Sequence, residues 1–192
     1  MATEYEWKFK TTPEMLAKIY NAFKGTATEI AMETTYYDTP SGALSARHYT
    51  LRRRLENGVS VCTLKAPARS ARGEWETECD SIDAAIPKLL ALGCPEKLST
   101  LTAEGLVPIC SAKFTRLAKT VSLPDGAVEI ALDQGCLMGG NRKSPLCDVE
   151  VELTSGPTEL CDSFAKALAT QFSLEVEEKS KFRRALALYK GE

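Results

Sequence analysis

The chain has 192 residues, 44% of them apolar and 26% charged, with a net charge of -2, enough for one domain with a substantial core over residues 1–192. So small a net charge excludes a global field that would recruit nucleic acid or anionic lipid, and any site for a highly charged ligand must gather its basic residues locally. No apolar run approaches the roughly 20 residues of a membrane span, and MATEYEWK lacks the basic-then-apolar order of a signal peptide, so the expected location is the cytosol.

EYEWK, at residues 4–8, alternates ionisable and aromatic residues with the period of a strand. TTPEMLAKIYNAFKG predicts a helix: Thr12 caps it, Pro13 suits its first turn, Leu16, Ile19, Tyr20 and Phe23 form one stripe, and Gly25 closes it. Strand-like stretches follow in TEIAMETTYYDT, HYTLRRRL, VSVCTLKAP and GEWETECD, with a hairpin signal at Asn57-Gly58. SIDAAIPKLLALG and PEKLSTLTAEG read as helical or mixed, the first weakened by Pro87. CSAKFTRLAKTVSL and AVEIALDQG form a second antiparallel pair around Pro124-Asp125-Gly126, and MGGNRKSP reads as a loop before LCDVEVEL. The C-terminal segments GPTELCDSFAKALATQF and LEVEEKSKFRRALALYK are helical, with leucine and alanine stripes that belong to the core.

Seven cysteines are scattered and never spaced as CxxC, which favours reduced core or strand residues over zinc ligands or disulfides. His48 is the single histidine and has no evident nucleophile beside it in SARHYTLRRR, so a histidine-based mechanism is not expected.

Strand parity sorts the charges. Glu4, Glu6 and Lys8 share a face, as do Arg52 with Arg54, Glu74 with Glu76 and Glu78, Glu129 with Asp133, and Asp148 with Glu150 and Glu152; Lys65 and Arg116 lie on the corresponding faces of their strands. The intervening residues, including Trp75, Val128, Ile130, Leu132, Val149, Val151 and Leu153, are apolar. A solvated face gives the same alternation on any one strand. Here, however, acids cluster on some strands and arginines on others, and such neighbours repel unless a cation lies between the acids and an anion between the arginines. That chemistry suits a metal-bound polyphosphate: carboxylate oxygens for Mg2+ or Mn2+, and guanidinium forks and lysines for phosphate. The expected fold is α+β, a closed or nearly closed antiparallel β-barrel with a charged interior and helices packed on the outside.

The ordered series ExExK (Glu4-Tyr5-Glu6-Trp7-Lys8), YYDT, LRRR, TLK, RGEWE, FTRL, VEIALDQG, DVEVEL and EKSKFRRAL resembles the CYTH superfamily, the triphosphate tunnel metalloenzymes. The later motifs are most similar to its bacterial inorganic triphosphatases. The resemblance implies a tunnel of eight antiparallel strands that holds a linear triphosphate with one or two divalent cations. It implies metal ligation by Glu4, Glu6, Glu150 and Glu152, with Asp133 and Glu129 as candidates to complete the site or orient water. It further implies phosphate contacts from Lys8, Arg52, Arg54, Lys65, Arg116 and Lys181, with Arg184 a further candidate and one of Glu74 and Glu76 lining the tunnel. Many members carry a second basic residue two positions after the arginine of FTRL. Here that position is Ala118, and Lys119 falls on the opposite face.

The implied reaction is metal-dependent hydrolysis of inorganic triphosphate to phosphate and diphosphate. The catalytic set would be Glu4, Glu6, Lys8 and Asp133, the partner a small-molecule triphosphate rather than nucleic acid or membrane, and the chain a monomer or homodimer. Alternatives are a class IV-type adenylate cyclase, a thiamine or nucleoside triphosphatase, and a non-catalytic polyphosphate-binding module. Thiamine enzymes of the superfamily carry a tryptophan where this chain has Thr50, and a pure anion binder gains nothing from so many carboxylates beside phosphate.

Overall fold

A computed structural model of the protein describes residues 5–67 and 72–192. The opening alternation forms strand β1 (Glu6–Lys10), followed by helix α1 (Pro13–Ala22), whose N-cap Thr12 accepts a 3.3 Å hydrogen bond from the Met15 amide. Next come β2 (Thr28–Asp38), β3 (Thr50–Glu56), β4 (Val59–Pro67) and β5 (Arg72–Glu78). The β3–β4 turn places Asn57 at φ 49° and Gly58 at φ 89°, two left-handed residues as a tight primed hairpin requires. Helices α2 (Ile82–Ala91) and α3 (Lys97–Leu101) lead into the long strands β6 (Val107–Leu123), β7 (Gly126–Gly139) and β8 (Arg142–Ser155). The chain ends through α4 (Thr158–Phe172), the two-residue β9 (Glu175–Val176) and α5 (Lys181–Lys190).

Three local expectations change. LEVEEKS is not helical: it holds β9, and α5 begins only at Lys181 behind its N-cap Ser180. Pro87 lies inside α2, where the burial of Ile82, Ala85 and Leu89 keeps the helix docked despite the lost backbone donor. MGGNRKSP is not an open loop: β7 runs to Gly139 and β8 starts at Arg142, so only Gly140 and Asn141 turn the hairpin.

Among the described residues the strands form one sheet in the order β5-β4-β3-β2-β6-β7-β8-β1-β9, with every neighbouring pair antiparallel. Eight of these strands are the long expected ones, β9 adds a short edge, and no ladder joins β5 to β9 among the described residues.

Parity then decides what each face buries. On one face α1 and α4 cover Phe9, Val128, Ile130, Leu132, Val149 and Val151, while α2 and α3 cover Leu51, Cys62, Leu64 and Trp75. The opposite face carries the charges, and its centre is withdrawn from water: Asp133 and Asp148 are fully buried. This is the charged-inside, apolar-under-helices arrangement that the tunnel expectation requires. Helix α5 is the exception to helices outside. It packs on the charged face, with Phe182, Ala185, Leu186 and Leu188 against Met32, Tyr36, Phe114, Leu137 and Leu146.

The described cysteines are all free, and burial pushes the Cys62 and Cys161 thiols up to about 11 and that of Cys110 to about 12. No helix among the described residues is long and apolar enough to cross a membrane.

Gly139 sets how closely α5 can approach β7. A Cβ there would lie 2.4 Å from both the Ala185 carbonyl oxygen and the Tyr189 amide nitrogen. Gly139→Ala should therefore destabilise the fold by about 1–3 kcal/mol, as overpacking against backbone does. Thermal unfolding should show a drop of roughly 2–4 °C for each kcal/mol in a chain of this size.

Candidate functional site

The antiparallel register places the charged residues in rows across the sheet. In the first row Glu6 of β1 pairs with Glu152 of β8, which pairs with Glu129 of β7. The next holds Lys8, Glu150, Ala131 and Ala118, and the third Lys10, Asp148, Asp133 and Arg116. On the other flank, Arg54 lies opposite Val61, Arg52 opposite Thr63 and then Glu76, and Lys65 opposite Glu74. The sheet thus has an acid-rich wall on β1, β8 and β7 and an arginine-bearing wall on β3.

A network ties the acid-rich wall to α5. The Arg116 guanidinium grips both Asp133 oxygens at 2.7 Å and reaches a Glu150 oxygen at 2.5 Å. Lys181 Nζ lies 2.6 Å from Glu150 Oε1, 2.8 Å from Asp133 Oδ2 and 3.6 Å from Asp148 Oδ2. Arg184 forks onto Asp148 and is 3.6 Å from Glu177. Burial by itself would raise the Glu150 carboxyl, but Lys181 and Arg116 outweigh it and hold the group well below the usual carboxylate range. In the same way burial would lower Lys181, and Glu150, Asp133 and Asp148 together raise it. These cations and acids are mutually neutralised within a buried cluster.

The arginine wall is less satisfied. Arg54 pairs with Glu56, but Arg52 approaches Glu74 and Glu76 only at 3.7 and 3.8 Å. The Nε atoms of Arg52 and Arg54 are buried and have no hydrogen-bond partner among the described residues. Burial first, and then the neighbouring Arg52 charge, lowers the Arg54 pKa. Two adjacent guanidinium groups with unused buried donors call for an anion between them. Lys65 sits 3.0 Å from Glu74, and Thr63 donates to Glu76 at 2.8 Å.

Of the residues singled out from the sequence, Glu6, Lys8, Arg52, Arg54, Lys65, Glu74, Glu76, Arg116, Glu129, Asp133, Glu150 and Glu152 all come to this one face. Lys181 and Arg184 reach it from α5. Glu4 lies outside the described residues. Lys8 Nζ contacts Glu6 Oε1 at 2.5 Å. Lys119 lies on the outer face, donating to the Tyr20 and Phe23 carbonyls at 2.9 and 2.8 Å, so it supplies no phosphate contact in place of Ala118. Sequence reasoning missed Asp148 as the anchor of Arg184, although it shares the parity of Glu150 and Glu152. It also missed Glu177, whose link before α5 has no periodicity to read.

A family model for the CYTH domain matches residues 2–186. The chain belongs to the CYTH domain family. Over 157 residues it is 28% identical to a Haemophilus influenzae protein named inorganic triphosphatase, a match that covers 80% of this chain and 45% of that protein. The chain therefore spans about half the length of this curated relative. Among solved structures, the Hippeastrum protein HpAC1, described as an adenylyl cyclase candidate with a dominant triphosphatase activity, matches with a TM-score of 0.67 at 17% identity. That match covers 99% of this chain and 97% of the other. The protein PH1819 of Pyrococcus horikoshii OT3 matches with a TM-score of 0.63 at 23% identity, covering 97% and 99%. At these identities the structural likeness shows the CYTH fold.

Among the described residues of this CYTH domain, no three acidic, histidine or cysteine side chains converge into a ready metal cage. The donor chemistry of the Glu6, Glu152 and Glu129 row nevertheless fits a divalent cation. Three carboxylates abreast across adjacent strands repel one another, and a hard cation relieves that repulsion.

The sign of the pH effect follows from the shifts. The lowered Glu150 carboxyl contributes stability above about pH 4.3, lost as pH falls through its folded value. The raised Lys181 contributes below about pH 10.4, lost as pH rises through its folded value. Lys181→Met should therefore cost about 3 kcal/mol at pH 7 by leaving buried acids short of a counter-charge. In urea unfolding the gap from wild type should be widest between these limits and shrink at pH 3.

Proposed function

We propose that the chain is a metal-dependent triphosphatase that cleaves linear inorganic triphosphate into orthophosphate and diphosphate. The observation that carries this reading is the presence of two charged walls on one half-buried face. The Glu6, Glu152 and Glu129 row forms one, and Arg52 and Arg54, with unused buried Nε donors, form the other. An anion of high charge density accompanied by a divalent cation answers both at once.

Glu6, Glu152 and Glu129 would hold the metal, with Glu4 adjoining them in sequence parity. A divalent ion held there would supply positive charge to the phosphate oxygens and activation of water. Arg52, Arg54 and Lys65 hold the phosphate chain by charge-assisted hydrogen bonds and fix its direction. Water forms a bond to a terminal phosphorus and releases a proton to solvent as the bridging P–O bond breaks, and the leaving diphosphate carries its charge into the arginine wall. Glu150, Asp133 and Asp148 hold Arg116, Lys181 and Arg184 in a neutralised cluster that fixes the framework of the same face. Of the candidates to complete the metal site, Glu129 is favoured over Asp133, because Arg116 and Lys181 already engage both Asp133 oxygens.

Orthophosphate release should be measured from tripolyphosphate, ATP and thiamine triphosphate with Mg2+ or Mn2+. Tripolyphosphate should turn over fastest, and a chelator should stop the reaction. Glu6→Gln should abolish turnover, and Arg52→Met or Arg54→Met should each raise KM about tenfold or more, the loss of a charged hydrogen bond. Full activity of Glu6→Gln, or cyclic AMP as the main product from ATP, would overturn the proposal.

A further inference from the structure

The strand that carries Glu6 and Lys8 is held on one edge only for part of its length. β8 pairs along all of β1, whereas on the other edge β9 reaches only Phe9 and Lys10, with one more hydrogen bond from the Glu177 amide to the Lys8 carbonyl at 2.8 Å. Among the described residues no strand pairs with the Glu6–Trp7 segment on that side. Ladder hydrogen bonds alone therefore leave its twist and its seating on the sheet less constrained at the end where Glu6 meets Glu152.

The missing constraint comes from the outer face. Asp162, in the second turn of α4, accepts two side-chain hydrogen bonds on the same oxygen, Oδ1: one from the Tyr5 hydroxyl at 2.6 Å and one from Trp7 Nε1 at 2.8 Å. Both bonds lower the Asp162 carboxyl pKa, so the acceptor is ionised and the bonds are charge-assisted. Lys166 lies one helical turn on, 5.9 Å from the Trp7 ring centroid, and Trp7 stacks on Phe9. Helix α4 is itself seated on the sheet through Cys161, Ala165 and Leu168.

We infer that Asp162 is a positioning residue for the acid row: by tethering Tyr5 and Trp7 from outside, it sets the height and twist at which Glu6 is presented to Glu152 and Glu129 within the sheet. The coupling is geometric. Tyr5 and Trp7 flank Glu6 in the chain and point to the opposite face, so a rigid hold on both fixes the Cα between them. A carboxylate bonded at two donors has one arrangement, whereas two half-buried aromatics held by packing alone on a half-paired strand retain more freedom. This inference rests on the triphosphatase reading for its kinetic consequence, but not for its structural one.

Asp162→Ala and Asp162→Asn separate the possibilities, because asparagine keeps an acceptor oxygen in the same place without the charge. Asp162→Ala should raise the half-saturating Mn2+ concentration or lower kcat on tripolyphosphate by about 10–100-fold, the range typical when a group that orients a metal ligand is removed. KM should change far less, since Arg52, Arg54 and Lys65 lie on strands that Asp162 does not touch. Asp162→Asn should recover most of the loss. Independently of activity, the Trp7 indole N–H resonance, identified by its absence in Trp7→Phe, should move in Asp162→Ala and stay near its wild-type position in Asp162→Asn. Amide exchange at Trp7, whose N–H faces β8, should quicken in the alanine variant alone.

An unchanged Mn2+ dependence and kcat in Asp162→Ala, or an asparagine variant as impaired as the alanine one, would overturn the inference. If wild type turns over no tripolyphosphate with either metal, the triphosphatase reading fails instead. The tether is then judged by exchange and the indole resonance, and unchanged exchange at Trp7 in Asp162→Ala would overturn it.

Discussion

The structure depends on the burial of charge within the sheet. An isolated ionised carboxylate removed from water is too costly for a fold of ordinary stability, so Asp133, Asp148 and Glu150 can be buried as ions only if cations come with them. Arg116 reaches them along the sheet, and Lys181 and Arg184 arrive from α5. This requirement explains why α5 lies on the charged face. Its apolar stripe needs Phe114, Leu137 and Leu146, and its N-terminal cations need the acids one row further along the same strands. One helix thus meets both demands, and Gly139 leaves its backbone the room to do so.

The outer helices have a simpler task. The apolar residues of β1, β7 and β8 would be exposed without α1 and α4, and those of β3, β4 and β5 without α2 and α3. Because side chains alternate strictly, covering one set with helices commits the other set to the opposite side. A slip of one residue in any ladder would place carboxylates under α4 and valines among the arginines. The same apolar packing that stabilises the sheet therefore fixes the register on which the site depends.

That alternation is why so much was legible in the sequence. Parity placed Glu6, Arg52, Arg54, Glu129, Asp133, Glu150 and Glu152 on one face before any pairing was known, and Asn57-Gly58 marked its hairpin. What parity cannot supply is strand order, and with it the fact that Glu6, Glu152 and Glu129 stand abreast whereas Asp133 stands beside Arg116. It also cannot say on which side a helix lies. The stripe of α5 looks like that of α4, and only the need of Asp148 and Glu150 for partners distinguishes them. Glu177 and Asp162 escaped for a related reason: Glu177 meets Arg184 from an aperiodic link and Asp162 takes two bonds from a strand more than 150 residues earlier, and neither contact leaves a periodic trace.

The two groups of acids on this face differ in what balances them. Asp133, Asp148 and Glu150 already have protein cations, so a metal at those positions would have to displace Arg116 or Lys181 and strand a buried positive charge in turn. Glu6, Glu152 and Glu129 lie nearer the end of the sheet that α5 does not cover, where Lys8 pairs with Glu6 and the cross-strand register sets three carboxylates side by side. Across the sheet Arg52 and Arg54 pose the converse problem, with like positive charges two residues apart and buried donors that no described side chain satisfies. Single ion pairs such as Lys8 with Glu6 and Arg54 with Glu56 offset part of this charge, and a polyanion carrying a divalent cation has the charge distribution that completes both walls.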